Sequence, residues 1–474
     1  MRDAVLTLGH LAGYPSDIAI TAVTIDSRLA APGCAFYAFV GERVDGHAYV
    51  EEAFAAGAVV AFVERTLAGI RTVRLEQVPA LTSEDLPVAV LVPSAMAALQ
   101  QAAARYRGKL PLQVVGVTGS VGKTTAKEAI AAVLSQGYKV LKSEGNANNE
   151  IGLPLTLLRA RPSHQVAVLE MGMYALGEIE LLCQVARPRV GVVTNVQPVH
   201  LGRLGSIDCI AAAKAELIAA LPADGVAVLN GDDARVAAMA GLHSGFTVLV
   251  GWAAAAHVRI VGVATRGLEG ITLTLDITGL EELGVAGTLR QLDSDMLGRH
   301  AAMPVALAVA VGLAQGLEWA QIGRGLQCLG RGPRLIPRPG RRDTTILDDV
   351  YNASPAAVAG ALDLLAGLPG RRVAILGDML ELGAAEEISH REVGALCARC
   401  VDLLIVRGER ARLLARAARD AGLNAAAVLE VDDNEGALAI LDQVARPGDI
   451  ILVKGSRGMA MEGIVDGWRR EEPT

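Results

Sequence analysis

Apolar positions in this chain fall mainly in short continuous runs rather than in strict alternation. Val114–Val117, Val166–Leu169, Val190–Thr194 and Val226–Leu229 are such runs, each closed by polar residues. A run with no polar face predicts a strand covered on both sides, as in a parallel sheet layered with helices. The pattern returns at Thr345–Leu347, Val373–Leu376, Leu403–Val406 and Ile450–Val453. Nearer the N-terminus, Ile18–Ile25 and Cys34–Val40 predict strands, Glu51–Ala56 a helix and Ala58–Val63 another strand, which together make a small α/β unit.

Two stretches break these patterns. Tyr106-Arg107-Gly108-Lys109-Leu110-Pro111 reads as a linker, and Arg331–Arg342 is a Pro/Arg-rich junction. They divide the chain into three expected α/β domains, residues 1–107, 108–330 and 331–474. The central domain is expected to hold a parallel sheet and the third to be Rossmann-like. Hinges are expected near residues 108 and 331.

Composition agrees with large cores. Of 474 residues, 52% are hydrophobic and 20% charged, while aromatics reach only 3%, so Ala, Val, Leu and Gly fill the interior. A net charge of −7 argues against a general nucleic-acid footprint. No basic-plus-apolar leader and no long apolar span stand out, so a cytoplasmic protein without an integral membrane segment is expected. Six scattered cysteines read as free thiols, and Cys397-x-x-Cys400, on an Ala-rich helical segment, reads as buried or idle.

The chemistry concentrates first at Thr118-Gly119-Ser120-Val121-Gly122-Lys123-Thr124-Thr125. A β-branched run leads into a Gly-rich turn, and Lys-Thr-Thr opens a helix, which is the layout of a phosphate-binding loop. Loop glycines let backbone N–H groups converge, and the helix N-terminus adds partial positive charge. Lys123 can reach terminal phosphates, and the Thr124 hydroxyl can ligand Mg²⁺. The first glycine of the common pattern falls on Val117, so the loop is a narrower variant. Glu170 closes a strand beside this loop, where a carboxylate can hold Mg²⁺. Asn195 and Asn230 with Asp232 end other strands. His200 taken alone reads as a structural histidine, Lys214 as a solvated helix face, and Lys454-Gly455-Ser456-Arg457 as an anion site or a simple turn. No Asn-Lys-x-Asp element is present, so ATP is the simpler nucleotide than GTP.

Taken together, these runs resemble the Mur ligases of peptidoglycan synthesis over nearly the whole chain. The resemblance is carried by Asp26-Ser27-Arg28, Gly41-Glu42-Arg43-Val44-Asp45-Gly46-His47, the phosphate loop, Gly145–Pro154, Leu169–Met173 and Thr194-Asn195-Val196 through His200. In the last third it is carried by Asp348–Pro355, Leu376–Gly383 and Lys454–Arg457. Tyr351-Asn352-Ala353 and Gly377-Asp378-Met379-Leu380-Glu381-Leu382-Gly383 favour the branch that adds a dipeptide. The diamino-acid branch shows Asp-Tyr-Ala-His or Asp-Asn-Pro-Arg, and neither occurs here.

The resemblance implies one domain for a UDP-sugar, one for ATP and one for the amine. It implies an ADP-forming ligase that activates the carboxylate of UDP-N-acetylmuramoyl-tripeptide as an acyl phosphate and joins it to D-alanyl-D-alanine. It also implies site residues. Thr118–Thr125 hold the nucleotide with Arg334 and Asp349. Thr124 and Glu170 hold one Mg²⁺, and His200 with a carbamylated Lys214 serves a second. Ser27, Arg28, Asp45, Gly46 and His47 lie on the uridine side. Asn148 and Asn149 lie near the muramyl peptide, and Tyr351 and Asn352 belong to the substrate side of the third domain. Lys123, Glu170, His200, Lys214 and Arg334 are the expected catalytic set, and a monomer is expected.

Two departures stand out. Family asparagines on the adenine side fall here on Ala301 and Pro304, and the usual Pro-Gly-Arg-Leu reads Gly332-Pro333-Arg334-Leu335. Three other readings stay open at this point: a folylpolyglutamate-synthase-like ligase, a different Mur enzyme, and a nucleotide-binding relative with reduced catalysis.

Overall fold

The computed structural model describes residues 6–41, 44–198, 205–281, 284–285, 287–329 and 334–470. His200, Glu42, Arg43 and residues 331–333 of the Pro/Arg-rich junction lie outside the described residues.

Among the described residues, three sheets organise the chain, with five, nine and six strands. The first is wholly parallel and runs, edge to edge, Val23–Thr24, Ala35–Tyr37, Val60–Val63, Val88–Leu91, Thr72–Arg74. The strand expected over Ile18–Ile25 contracts to Val23–Thr24, while Ala19 makes only an isolated bridge with Thr7. Here Ile20 is buried, and its neighbours Ala19 and Thr21 are open to solvent.

The second sheet carries the phosphate loop. Its parallel part has the order Val258–Thr265, Phe246–Gly251, Val226–Asn230, Val190–Val193, Gln113–Thr118, Val166–Glu170, Val140–Lys142. The predicted continuous runs are these central strands, buried on both faces. Beyond Val258–Thr265 the sheet turns antiparallel through Ile271–Asp276 and Leu289–Ser294. That extension departs from the alternating strand–helix pattern expected for the region. Its signal was present: Ile271-Thr-Leu-Thr-Leu-Asp276 alternates apolar and polar, and buried and half-buried positions follow that alternation. The third sheet is parallel from Thr345–Asp349 through Ile450–Lys454, Arg372–Gly377 and Leu403–Arg407 to Val428–Val431, with antiparallel Ile336–Pro339 at one edge.

The passage from first to second sheet differs from the expected linker. Residues Tyr106–Gly108 finish a helix that begins at Ala95. Leu99, Ala102, Ala103 and Tyr106 on this helix share one buried cluster with Leu153 and Leu157 of the central domain and Val60 of the first. The Tyr106 hydroxyl donates to Ala160 O at 2.8 Å. A packed helix, not a free segment, therefore joins the two units up to Gly108. Cys397 and Cys400 are buried, and burial pushes both thiols above their usual pKa. Among the described residues no helix is long and apolar enough to cross a membrane.

Candidate active site

The phosphate loop leaves the strand Gln113–Thr118 between two parallel neighbours, so it opens at the carboxyl edge of the sheet, where ligands collect. Val117, standing at the first-glycine position of the common motif, is still in the strand and fully buried. The unusual backbone falls instead on Gly119, with φ +146°, and Gly122, with φ +84°. A Cβ on Gly119 would sit 1.9 Å from Thr194 Oγ1. Helix Lys123–Leu134 starts directly after Gly122, so its first N–H groups face the cleft above the loop.

Neighbouring strand ends hold the loop. Asn195 Oδ1 accepts from Val121 N at 2.9 Å, and Asn195 Nδ2 donates to Val121 O at 2.8 Å. Thr194 Oγ donates to the same carbonyl at 2.7 Å, and Ser120 N donates to Asn195 O at 2.9 Å. The sequence marks Asn195 only as a polar strand exit; its bracing of the loop depends on strand order, which is nonlocal.

Lys123 folds back, donating to Gly119 O at 2.8 Å and Ser120 O at 3.1 Å. Burial lowers its pKa from the ordinary lysine value, and nearby Glu170 works the other way. Glu170 is 4% exposed. Its Oε2 accepts from Thr124 Oγ at 2.8 Å, and its Oε1 accepts from Asn148 Nδ2 at 2.9 Å. Asn148 is thus turned to the carboxylate. Asn149 Oδ1 accepts from Gly152 N, the first residue of the helix Gly152–Leu158, at 2.9 Å. Thr118 Oγ donates to Met171 O at 2.8 Å. Among the described residues no set of three His, Cys, Asp or Glu side chains could enclose a metal. The Thr124–Glu170 pair instead suits a hard cation that takes its remaining oxygens from phosphate and water.

Lys214 is also buried, at 3% exposure, in the helix Ile207–Ala219. With Lys123, Asn149, Tyr174 and Glu178 it lines a cavity of about 80 Å³. Burial, and next the charge of Lys123, push its pKa well below the ordinary lysine value. The reading of Lys214 as a solvated helix face is therefore corrected.

The third domain closes the cleft. Arg334, Tyr351, Asn352 and Arg457 face Ser120–Thr125 across a space of about 330 Å³. Arg334 and Arg457 stack on the Tyr351 ring at 5.1 Å and 5.3 Å. Lys454 is buried against Asp349 and donates to Asn352 O at 2.9 Å, which ties the strand end to this wall. An adjoining cavity of about 340 Å³ shares Val121, Gly122, Thr125 and Arg334. Its walls include Met296, Leu297, Met303 and Leu307, with Asp349 and His300 among the polar groups. Ala301 and Pro304 belong to the same lining. A polar phosphate end and an apolar base end meeting at one loop have the dimensions and chemistry of a nucleotide site.

The first-domain residues stand apart, since none of them lines these cavities. Asp26 caps the turn Ser27–Leu29 and pairs with exposed Arg28 at 2.6 Å. Asp45 caps the turn Gly46–Tyr49, and Arg65 at 2.5 Å, then His47, hold its carboxyl well below the usual range. His47 is buried and uses both ring nitrogens inside the protein: Nδ1 meets Asp45 Oδ1 at 2.7 Å and Nε2 accepts from Glu64 N at 2.9 Å. Gly46 is required by space, because a Cβ there would lie 2.8 Å from Phe39 N. Exposed Ile25, Leu29, Val40, Val44 and Tyr49 belong to the same domain.

A braced phosphate loop, a carboxylate beside it and arginines facing it from another domain define a nucleotide-dependent phosphoryl-transfer centre. Three family descriptions match along the chain: "Mur ligase family, catalytic domain" at residues 19–107, "Mur ligase middle domain" at 117–312, and "Mur ligase, glutamate ligase domain" at 334–457. The chain belongs to the Mur ligase family. It is 35% identical, over 97% of its length and 94% of the relative's, to a UDP-N-acetylmuramoyl-tripeptide--D-alanyl-D-alanine ligase of Synechocystis. The fold is similar to MurF from Acinetobacter baumannii, with a TM-score of 0.83, 27% identity and coverage of 98% of this chain and 99% of that one. It is also similar to the MurF ligase of Thermotoga maritima in complex with ADP, with a TM-score of 0.80, 26% identity and coverage of 96% and 98%.

Proposed function

We propose that this chain joins D-alanyl-D-alanine to UDP-N-acetylmuramoyl-tripeptide at the expense of ATP, forming ADP and phosphate in peptidoglycan precursor synthesis. The observation that carries the reading is the cleft itself. The phosphate loop and the Thr124–Glu170 pair lie on one side and Arg334, Tyr351 and Arg457 on the other, while Lys214 lines a small cavity that shares Lys123. The family membership and the full-length relatives support the substrates.

The chemistry follows from the charges. A carboxylate is a poor electrophile, because its leaving group would be oxide. Transfer of the γ-phosphoryl group forms an acyl C–O–P linkage and breaks the bond to ADP. The dipeptide amine then attacks the acyl carbon, the tetrahedral adduct expels phosphate, and the amine proton passes to a base or solvent. Two anions must meet in the first step, so cations are required between them. Lys123 leaves its loop carbonyls for the β- and γ-phosphates, and Arg334 approaches the transferred group from the third domain. Thr124 and Glu170 would hold Mg²⁺, which when bound neutralises phosphate charge.

Burial and Lys123 disfavour the Lys214 ammonium; its free amine would add CO₂ with loss of a proton, giving a carbamate whose carboxylate-like oxygens face the cavity it shares with Lys123. His200 is proposed to act with it. Asp349 faces the nucleotide side, and Ser27, Arg28 and Asp45–His47 mark the UDP side. The three sheets support domains at 1–107, 108–330 and 331–474 for UDP-sugar, ATP and amine. We read the protein as a monomer, a reading supported by a cleft lined within one chain, and as acting in the cytoplasm, a reading supported by its nucleotide-linked substrate.

Phosphate release measured with each substrate omitted in turn tests the reading. Release only when ATP, the UDP-linked tripeptide and D-alanyl-D-alanine are all present is expected. Equal release without the dipeptide would overturn it.

A further inference from the structure

One fully buried cation takes no part in the chemistry above. Lys127 lies one turn beyond Lys123 on the helix that opens the phosphate loop, and it is 1% exposed. A lysine this deep needs partners, because an unpaired buried ammonium is strongly unfavourable. Its Nζ donates to Ser143 O at 2.7 Å and meets Glu128 Oε1 at 2.8 Å. The other oxygen of Glu128 pairs with Lys142. Burial acts to raise the Glu128 pKa, but the two ammonium groups outweigh it and hold the carboxyl below its usual value.

The acceptor is what matters. Ser143 is itself 1% exposed and directly follows the edge strand Val140–Lys142. Its hydroxyl accepts from Glu170 N at 2.9 Å, and its own N–H donates to Val168 O at 3.1 Å. Ser143 therefore grips the strand that ends in Glu170, and Lys127 grips Ser143. Thr124, three residues before Lys127 on the same helix, presents its hydroxyl to Glu170 Oε2 at 2.8 Å. Helix and strand are thus clamped twice, once at the cleft through Thr124–Glu170 and once beneath it through Lys127–Ser143. Positions i and i+3 lie on one helix face, so a shift at the lower clamp moves the upper one.

We propose that Lys127 is a positioning residue that sets the separation of Thr124 and Glu170, and through it the affinity of the cleft for a divalent cation bound with nucleotide. The inference rests on the nucleotide reading above, but its test does not use ligation. Supporting contacts behind metal ligands are commonly worth 10–100-fold in metal affinity.

The test is Mn²⁺ binding in the presence of ADP, followed by electron paramagnetic resonance, with ADP binding in EDTA measured separately. In Lys127→Met, Mn²⁺ affinity is expected to fall about 10-fold or more, with ADP affinity in EDTA within about twofold of the parent. If Lys127→Met does not fold, Ser143→Ala carries the test. It removes the hydroxyl that receives Glu170 N–H and leaves Lys127 its carbonyl acceptor, and the same selective loss is expected. A folded variant of either kind with unchanged Mn²⁺ affinity overturns the proposal, as does an equal loss of ADP affinity in EDTA, which would mark a merely structural role. A parent protein that binds no Mn²⁺ with ADP overturns the nucleotide reading, and this inference with it.

Discussion

Asn195 grips Val121 by both backbone groups, with its Oδ1 on the N–H at 2.9 Å and its Nδ2 on the carbonyl at 2.8 Å. This two-point contact sets the tip of the phosphate loop. Asn195→Ala removes it and frees the tip to drift, and displacements near 1 Å at a reacting centre can cost about 100-fold in rate. We expect kcat/KM for ATP to drop about 10–100-fold in steady-state kinetics. Asn195→Asp should be no better than alanine, since a carboxylate oxygen would replace the amide and face the Val121 carbonyl. An aspartate variant of near-parental activity would show that the grip is incidental.

Lys123 now spends its charge on two loop carbonyls, Gly119 O and Ser120 O. These contacts fix the resting loop, and phosphate oxygens are stronger acceptors for the same ammonium. Lys123→Ala leaves the transferred phosphoryl charge uncompensated. Ligation should fall by at least about 10²–10³-fold, beneath detection in a coupled phosphate assay, while the melting temperature stays close to that of the parent. Full activity in a variant purified free of host enzyme would refute the assignment.

The loop and the central strands were legible because their signals are local. Thr118–Thr125 carries its glycines, lysine and helix start within eight positions, and Val166–Leu169 and Val190–Val193 show their burial in their own composition. What escaped depends on neighbours distant in sequence. Asn195 reaches Val121 only because Val190–Val193 lies beside Gln113–Thr118. Asn148 and Asn149 were visible as a motif, yet one braces Glu170 and the other accepts from Gly152 N at the start of a helix. Tyr106–Gly108 looked like a linker because Arg, Gly and Lys cluster there, whereas packing of Tyr106 against the central domain extends the helix through it.

Lys214 gives a pH-dependent signature. Burial, then Lys123, hold its folded pKa well below the ordinary lysine value. Between that lowered value and the unfolded pKa near ~10.4 the unfolded chain binds more protons, so this residue's contribution to stability rises with pH. Lys214→Met removes the penalty. In bicarbonate-free buffer the variant should melt above the parent near neutral pH, and the gap should narrow as the pH approaches ~10. Activity should be lost in the same variant, and parental activity should respond to added bicarbonate if the amine is carbamylated. A gap independent of pH would mean that Lys214 is already charged in the fold.

The buried pair Asp349–Lys454 predicts a stability effect in the third domain. Both side chains are nearly inaccessible, at 4% and 1% exposure, and Asp349 Oδ1 has no hydrogen-bond partner. Burial lowers the Lys454 pKa, and Asp349 opposes that shift. Lys454→Met would strand the carboxylate and take from Asn352 O the shorter of its two donors, leaving it Arg334 Nη1 at 3.4 Å. Removing one partner of a buried ion pair costs about 3–5 kcal/mol, so the urea transition that includes this domain should move to clearly lower concentration. The double variant Lys454→Met with Asp349→Leu removes both charges and should recover much of the loss. Recovery of stability without recovery of ATP use would separate the two roles of Asp349, as partner of Lys454 and as a wall of the nucleotide cavity. A single Lys454→Met variant as stable as the parent would show that the pair does not hold the strand end in place.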